Sequence, residues 1–259
     1  MKIAVCVKQV PDTWAEKKLR EADSRLDRES ADGVLNELDE YAVEQALQIV
    51  EAEGGEVVIV TMGPERAGET LRKAISMGAD SGIHIVDESL GGSDAIATSA
   101  VLAAALSGRG FDLVLFGSES TDARMSVVPA MVAERLDLPQ LTFAQKVDVT
   151  GSTVTTERVT EYGFDAMTAE LPAVVSVVEK INEPRYPSFK GIMAAKKKPV
   201  ETLAVADLSL DAAHVGGGAA WSEVADFAAR PPKAAGVVVT DEGDGGVKIA
   251  DFLTSQKII

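Results

Sequence analysis

The stretch Phe116-Gly117-Ser118-Glu119-Ser120-Thr121-Asp122-Ala123-Arg124 gathers groups that suit an anionic ligand. Gly117 lets a ligand come close to the backbone. Ser118, Ser120 and Thr121 offer hydroxyls, and Arg124 offers a positive charge, pairs with Glu134 or faces solvent. An apolar run precedes this stretch and a helical pattern follows it, so free N–H groups at a helix start would face a phosphate. An ordinary helix start with Asp122 as its cap explains the same residues. The spacing leaves both readings open. No GxGxxG follows the first apolar run and no GxxxxGK[ST] occurs, so a standard dinucleotide or P-loop enzyme is not expected. Val7-Lys8 and Met62-Gly63 end two other apolar runs. Each reads as a plain strand end unless the sheet brings it to the same ligand.

A second concentration is Arg185 to Lys198, RYPSFKGIMAAKKK, with five basic and no acidic residues in a chain of net charge −16. Pro184 and Pro187 stiffen its start. Phe189 lies among polar and basic neighbours. It is either an exposed docking anchor or a core residue under a solvated basic loop. Other candidates are weaker. Cys6 lies within an apolar run and reads as packing. His84 alternates with apolar neighbours, His214 has no visible partner, and Glu161 with Asp165 makes no convincing acid–base pair. One cysteine and two histidines exclude an intrachain disulfide and leave no protein-ligated zinc to expect.

These residues need a scaffold, and the pattern supplies one. Apolar runs at Ile3–Val7, Glu56–Met62, Ile83–Val86 and Asp112–Phe116 read as buried strands. Helical spacing fills Leu38–Ala52, Pro64 to about Met77, Asp94–Leu106 with Ser93 as cap, and Arg124–Leu136. Asp12–Asp32 is polar and reads as a loop with at most a short hairpin or helix. Four such βα units predict a mostly parallel, doubly wound α/β sheet. Phe143–Val149 and Thr153–Thr160 flank a Gly turn and predict an antiparallel hairpin on that sheet, with another strand in Glu161–Leu171. Ala173–Val178 is a further buried strand. From about residue 205 the pattern weakens through Gly216-Gly217-Gly218, Pro231-Pro232, the short Val237-Val238-Val239 run and a Gly-rich loop at 242–246. This predicts an α/β domain over 1–204 and an extended C-terminal arm over 205–259, or else a loosely packed C-terminal lobe.

The apolar fraction of 46% supports a sizeable core. The acidic excess argues against a nucleic-acid partner. No run reaches the length of a membrane span, and Lys8 breaks the N-terminal apolar stretch, so a soluble cytoplasmic protein is expected.

The chain resembles the beta subunits of electron-transfer flavoproteins, including the Fix-type proteins. The motifs are KIAVCVKQVPDT, LNELDEYAVEQAL, VTMGPERAGETLRKAISMGAD, DLVLFGSESTDARMSVVPAMVAERL and, most specifically, VVEKINEPRYPSFKGIMAAKKK at 177–198. The resemblance implies an alpha–beta heterodimer with FAD at the subunit interface, mostly on the alpha subunit, and AMP within the beta subunit. By position the AMP contacts would be Cys6, Asn36, Glu37, Leu38, Asp39, Met62, Gly117, Ser118, Glu119, Ser120, Thr121, Asp122, Ala123, Arg124, Met125, Ser126, Val127 and Val128. The segment at about 182–199 would be the recognition loop, with Arg185, Tyr186, Phe189, Lys190, Ile192 and Met193 toward partner dehydrogenases. Those partners would be flavin dehydrogenases such as acyl-CoA dehydrogenases of fatty acid oxidation, with a membrane quinone oxidoreductase as acceptor. The chain would be a carrier subunit with no catalytic residues of its own, and its arm would pack on the alpha subunit. Electron-bifurcating members hold a second FAD in place of AMP, and an adenine-nucleotide sensor or hydrolase is the rival outside the family. Three positions depart from the family pattern. Phe189 stands where Leu is common, Thr13 where some members have Tyr near the flavin, and Asn36-Glu37-Leu38-Asp39 where Asn-Pro-Phe/Tyr is usual.

Overall fold

A computed structural model describes residues 1–229, 231–233, 235–236 and 238–259. Val237, and with it part of the Val237–Val239 run, lies outside the described residues. The elements in chain order are β1 (Lys2–Cys6), β2 (Gln9–Pro11), β3 (Gly33–Leu35), α1 (Glu37–Glu53), β4 (Glu56–Met62), α2 (Ala67–Ser76), β5 (Ser81–Ile85), α3 (Ala95–Leu106), β6 (Leu113–Gly117), α4 (Val128–Leu136), β7 (Gln140–Thr150), β8 (Thr153–Thr160), β9 (Gly163–Glu170), β10 (Ala173–Val177), α5 (Phe189–Ala195), β11 (Val200–Leu203) and α6 (Gly245–Ser255).

Nine strands form one sheet in the order β11-β5-β4-β1-β6-β10-β7-β8-β9. Pairing is parallel from β11 through β7 and antiparallel along β7-β8-β9. This is the expected mostly parallel α/β sheet with an antiparallel extension. The central strands β1, β4, β5, β6 and β10 are apolar on both faces because helices cover both. Ile3 and Val5 of β1 join the core beneath α1 and α2, while Ala4 and Cys6 point the other way, into the core beneath α3 and α4. In α1 the buried Ala42, Val43, Ala46, Leu47 and Ile49 form the apolar stripe that 3.6-residue periodicity requires. Gly54 ends it at φ +77°.

The topology sets the functional edge. From β1 the chain winds outward through β4 and β5, then returns to β6 on the other side of β1. The connections after β1 and β6 therefore diverge, which opens a crevice at their carboxyl ends. A small antiparallel pair, β2–β3, leads out of β1 and back into α1, bracketing the polar stretch 12–32. Within that stretch only a Leu19–Leu26 bridge is formed.

Three expectations are corrected. The helix placed at Arg124 begins at Val128 with Pro129 in its first turn, so Ser118–Val127 is loop. Asp122 therefore caps nothing. The cap of α3 is Asp94, not Ser93; its carboxylate accepts from Ala97 N at 2.9 Å. The helix begun at Pro64 starts at Ala67, after a turn closed by Ala67 N donating to Pro64 O.

The chain divides into a unit over Met1–Ala225 and a second over Asp226–Ile259. In the first, residues 205–225 pack through short 3-10 turns, with Val205 and Val215 buried in the core beneath α3. Asp94 also accepts from Trp221 N at 2.8 Å, so one carboxylate caps a helix and tethers this segment. The second unit holds α6, which exposes Val247, Ile249 and Phe252. Among the described residues no helix is long and apolar enough to cross a membrane.

Candidate functional site

The carboxyl ends of β1 and β6 and the start of α1 meet at one point. Register pairs Cys6 with Phe116, which sets Lys8 opposite the loop that follows Gly117. The first turn of α1 closes on Gly117 so tightly that a Cβ there would lie 2.5 Å from Asp39 Oδ1 and 2.8 Å from the Leu38 backbone. Glycine is required by that approach.

Asn36, fully buried ahead of α1, holds the loop by both ends of its amide. Its Nδ2 donates to Glu119 O at 2.9 Å and its Oδ1 accepts from Thr121 N at 3.1 Å. Asp39 Oδ2 accepts from Lys8 N at 2.8 Å. Burial pushes the Asp39 carboxyl up to about 7, even though the Asn36 amide, two backbone N–H groups and the Lys8 charge all favour its ionised form. Burial, with a smaller push from the Asp39 charge, also raises the Cys6 thiol far above its usual range.

Asp122 is the electrostatic centre of the loop. Its side chain is fully buried and takes Lys8 Nζ at 2.8 Å on Oδ1 and Arg28 Nη2 at 2.7 Å on Oδ2. Burial alone would raise this carboxyl, but Lys8 first and Arg28 second hold it down at about 2. Burial lowers Lys8 against the pull of Asp122. Lys8 Nζ also reaches Ser120 Oγ at 3.3 Å. Further along, Ser126 Oγ donates to Glu119 Oε2 at 3.0 Å, and Arg124 pairs with Glu119 at 3.6 Å, not with Glu134. Arg124 and Ser126 have φ of +50° and +57°, a conformation non-glycine residues adopt at a cost. Thr121 Oγ1 is buried with no hydrogen-bond partner, and so is Thr13 Oγ1. A buried unpaired hydroxyl on a clamped loop suits a polar ligand group.

The structure thus brings together Cys6, Asn36, Asp39 and Gly117 to Thr121. Met62 ends β4, and Glu37, Ala123, Arg124 and Met125 face solvent. Lys8, weighed in the sequence as a strand end that reaches the site only if the sheet brings it there, does lie at the loop, whereas Arg28 was missed. Lys8 carried a signal, a cation directly after a buried strand. Arg28, inside an irregular polar stretch, carried none. Two open surface grooves, of about 330 and 510 Å³, lie elsewhere, one by Lys2, Phe111 and Glu201 and one by Ala100, Arg135 and Leu210.

The basic segment is half anchored and half free. Arg185 forks onto Glu44, buried on α1, at 2.7 Å, and onto Glu51 at 2.5 Å. Arg72 Nη1 donates to the carbonyls of Ala195 and Lys198, both at 2.6 Å. Between these ties Ser188 caps α5, accepting from Gly191 N at 3.0 Å. Tyr186 is 96% exposed and Phe189 80%, with Lys190, Ile192 and Met193 exposed beside them. Phe189 is not tucked into the core. His84 is buried on β5, its Nε2 3.2 Å from Gly63 O. Asp165 pairs with Arg158 at 3.0 Å. Among the described residues no group of three or more His, Cys, Asp or Glu side chains is placed to hold a metal ion.

A family model described as the electron transfer flavoprotein domain matches residues 24–208. A protein of Mycobacterium leprae named electron transfer flavoprotein subunit beta is 53% identical over 99% of both chains. The chain belongs to the electron transfer flavoprotein beta-subunit family. Proteins of the same name from Mycobacterium tuberculosis strain H37Rv and Megasphaera elsdenii are 52% identical over 99% and 34% identical over 100% of both chains.

Proposed function

We propose that this chain is the beta subunit of a heterodimeric electron-transfer flavoprotein of the AMP-binding kind. The Gly117–Val128 loop, with Cys6, Asn36–Asp39 and Met62, would hold AMP. The alpha subunit would carry most of an interface FAD, which supplies the redox chemistry when bound. The complex would take electrons from flavin dehydrogenases such as acyl-CoA dehydrogenases and deliver them to a membrane quinone oxidoreductase, in the cytoplasmic setting of fatty acid oxidation.

The observation that carries the reading is the loop clamped by Asn36 at the sheet's crevice, with the Thr121 hydroxyl buried and unpaired. The residues present fit a nucleotide, and their work is binding and orientation. Asn36 fixes the loop, Lys8 and Arg28 neutralise Asp122 beneath it, and Asp39 joins β1 to α1. In this reading AMP is a structural ligand, and the chain does no acid–base chemistry. Phe189, held out between the Arg185 and Arg72 ties, would dock the dehydrogenase. The 205–259 segment would pack on the alpha subunit, which is supported by the exposed apolar side chains of α6.

Equilibrium dialysis of AMP against the full chain tests the nucleotide assignment. One AMP per chain is expected, with Thr121→Val weakening it by about tenfold, the effect of one lost hydrogen bond of ~1.4 kcal/mol. Absence of AMP binding, or steady ATP hydrolysis by the purified chain, would contradict it.

A further inference from the structure

The basic segment carries a spacing that its exposed side chains do not explain. Gly191, Ala195 and Lys198 stand at i, i+4 and i+7, which is one face of a helix. That face is the covered one. Ala195 is buried and Gly191 and Lys198 are half-buried, while Phe189, Ile192, Met193, Lys196 and Lys197 around them are exposed. The covered face rests on the carboxyl end of α2, where Arg72 and Ser76 lie four residues apart and so on one side of that helix. Arg72 Nη1 donates to Ala195 O and Lys198 O. Lys198 Nζ donates back, to Gly78 O at 3.1 Å and to Ala79 O, just past α2. A lysine suits this place, because the end of a helix has carbonyls without partners and carries its negative pole.

The closest approach is at Gly191. A Cβ there would lie 2.6 Å from Ser76 O. That oxygen is backbone and cannot swing aside, so only a shift of α5 would make room. Gly191 is not among the glycines with positive φ, so space and not conformation requires it. α5 has seven residues, fewer than the roughly 12 that an isolated helix needs in water. α2 therefore holds it in place, and the depth at which it seats decides where its outer face stands. Phe189 is on that outer face, two residues before Gly191 and about 160° around the helix.

We propose that Gly191 is a positioning residue for dehydrogenase docking: its missing side chain seats α5 on Ser76 O and so sets the height and tilt at which Phe189 is presented. This rests on the docking role proposed for Phe189 above. An anchor held ready costs less ordering on binding, so displacing it weakens docking and leaves electron transfer within the docked pair unchanged. A double-mutant cycle on the purified heterodimer tests it, with a flavin dehydrogenase of the acyl-CoA class as donor. G191A is expected to raise the dehydrogenase's KM for the complex about fivefold at unchanged kcat and flavin content. Alanine is the better helix former, so the α5 amides are expected to keep their hydrogen-exchange protection. F189A is expected to raise KM about tenfold, and F189A/G191A no more than about twofold beyond F189A, because Gly191 acts through Phe189. Unchanged KM in G191A, single effects that multiply in the double variant, or loss of α5 protection in G191A would each overturn the inference. An F189A complex that couples like wild type would instead overturn the docking reading and this inference with it.

Discussion

Asp39 carries opposed demands: two backbone N–H groups and a nearby lysine want its carboxylate, and burial resists it. Its folded value of about 7 exceeds the ordinary 3.8, so between those pH values the folded chain holds a proton that the unfolded chain has released. The resulting stability is full below pH 4 and is lost as pH rises through 7. Urea unfolding of wild type against Asp39→Asn is expected to show the wild type gaining relative stability from pH 8 to pH 4, by up to about 4 kcal/mol. A pH-independent difference would contradict this. Asp122 works in the opposite sense. Held at about 2, it contributes stability above pH 4 that is lost as pH falls through 2. Cys6, buried and raised, is expected to resist a maleimide in the native chain and react on unfolding. Native-state labelling at the rate of a free thiol would contradict its packing role.

At the scale of elements, much was legible because periodicity survives context. The central parallel strands β1, β4, β5, β6 and β10 are continuous apolar runs buried almost throughout, and α1 carries an apolar stripe at helical spacing. Failures came where local pattern and tertiary geometry diverge. Residues 124–127 read as helix because nothing in their side chains announces the left-handed Arg124 and Ser126. α5 was hidden in a lysine-rich segment with little apolar periodicity, and α6 was hidden behind Gly245-Gly246 and read as arm. Lys8 and Arg28 meet Asp122 across more than ninety residues, a contact no spacing rule reports. The element that most controls the loop is the start of α1. Asn36→Ala is expected to cost about 1–3 kcal/mol, since it leaves Glu119 O and Thr121 N unpaired, and to lower AMP affinity with it. Loss of stability at undiminished AMP affinity would show that the clamp does not shape the site. For the basic segment, if it docks dehydrogenases as proposed, Phe189→Ala is expected to slow dehydrogenase coupling about tenfold, the effect of a lost anchor worth ~1.4 kcal/mol, at unchanged flavin content. Equal rates would remove Phe189 as the anchor.

The whole molecule joins surfaces of different character. The net charge of −16 is spread over the chain but broken by the Arg185–Lys198 segment. There Arg185 and Arg72 fix the backbone while Phe189 stands clear. The loop between β6 and α4 is built from other residues, so the proposed nucleotide holding and partner docking would involve separate parts of the chain. The Asp226–Ile259 unit has no buried residue in α6, which fits a segment completed by another chain. Its removal is expected to weaken alpha binding while leaving AMP binding intact. The most direct measurement of the central claim is the cofactor ratio of the complex co-purified with its alpha subunit, with nucleotides released by denaturation and separated by chromatography. The account predicts one AMP for each FAD. Two FAD and no AMP would contradict it.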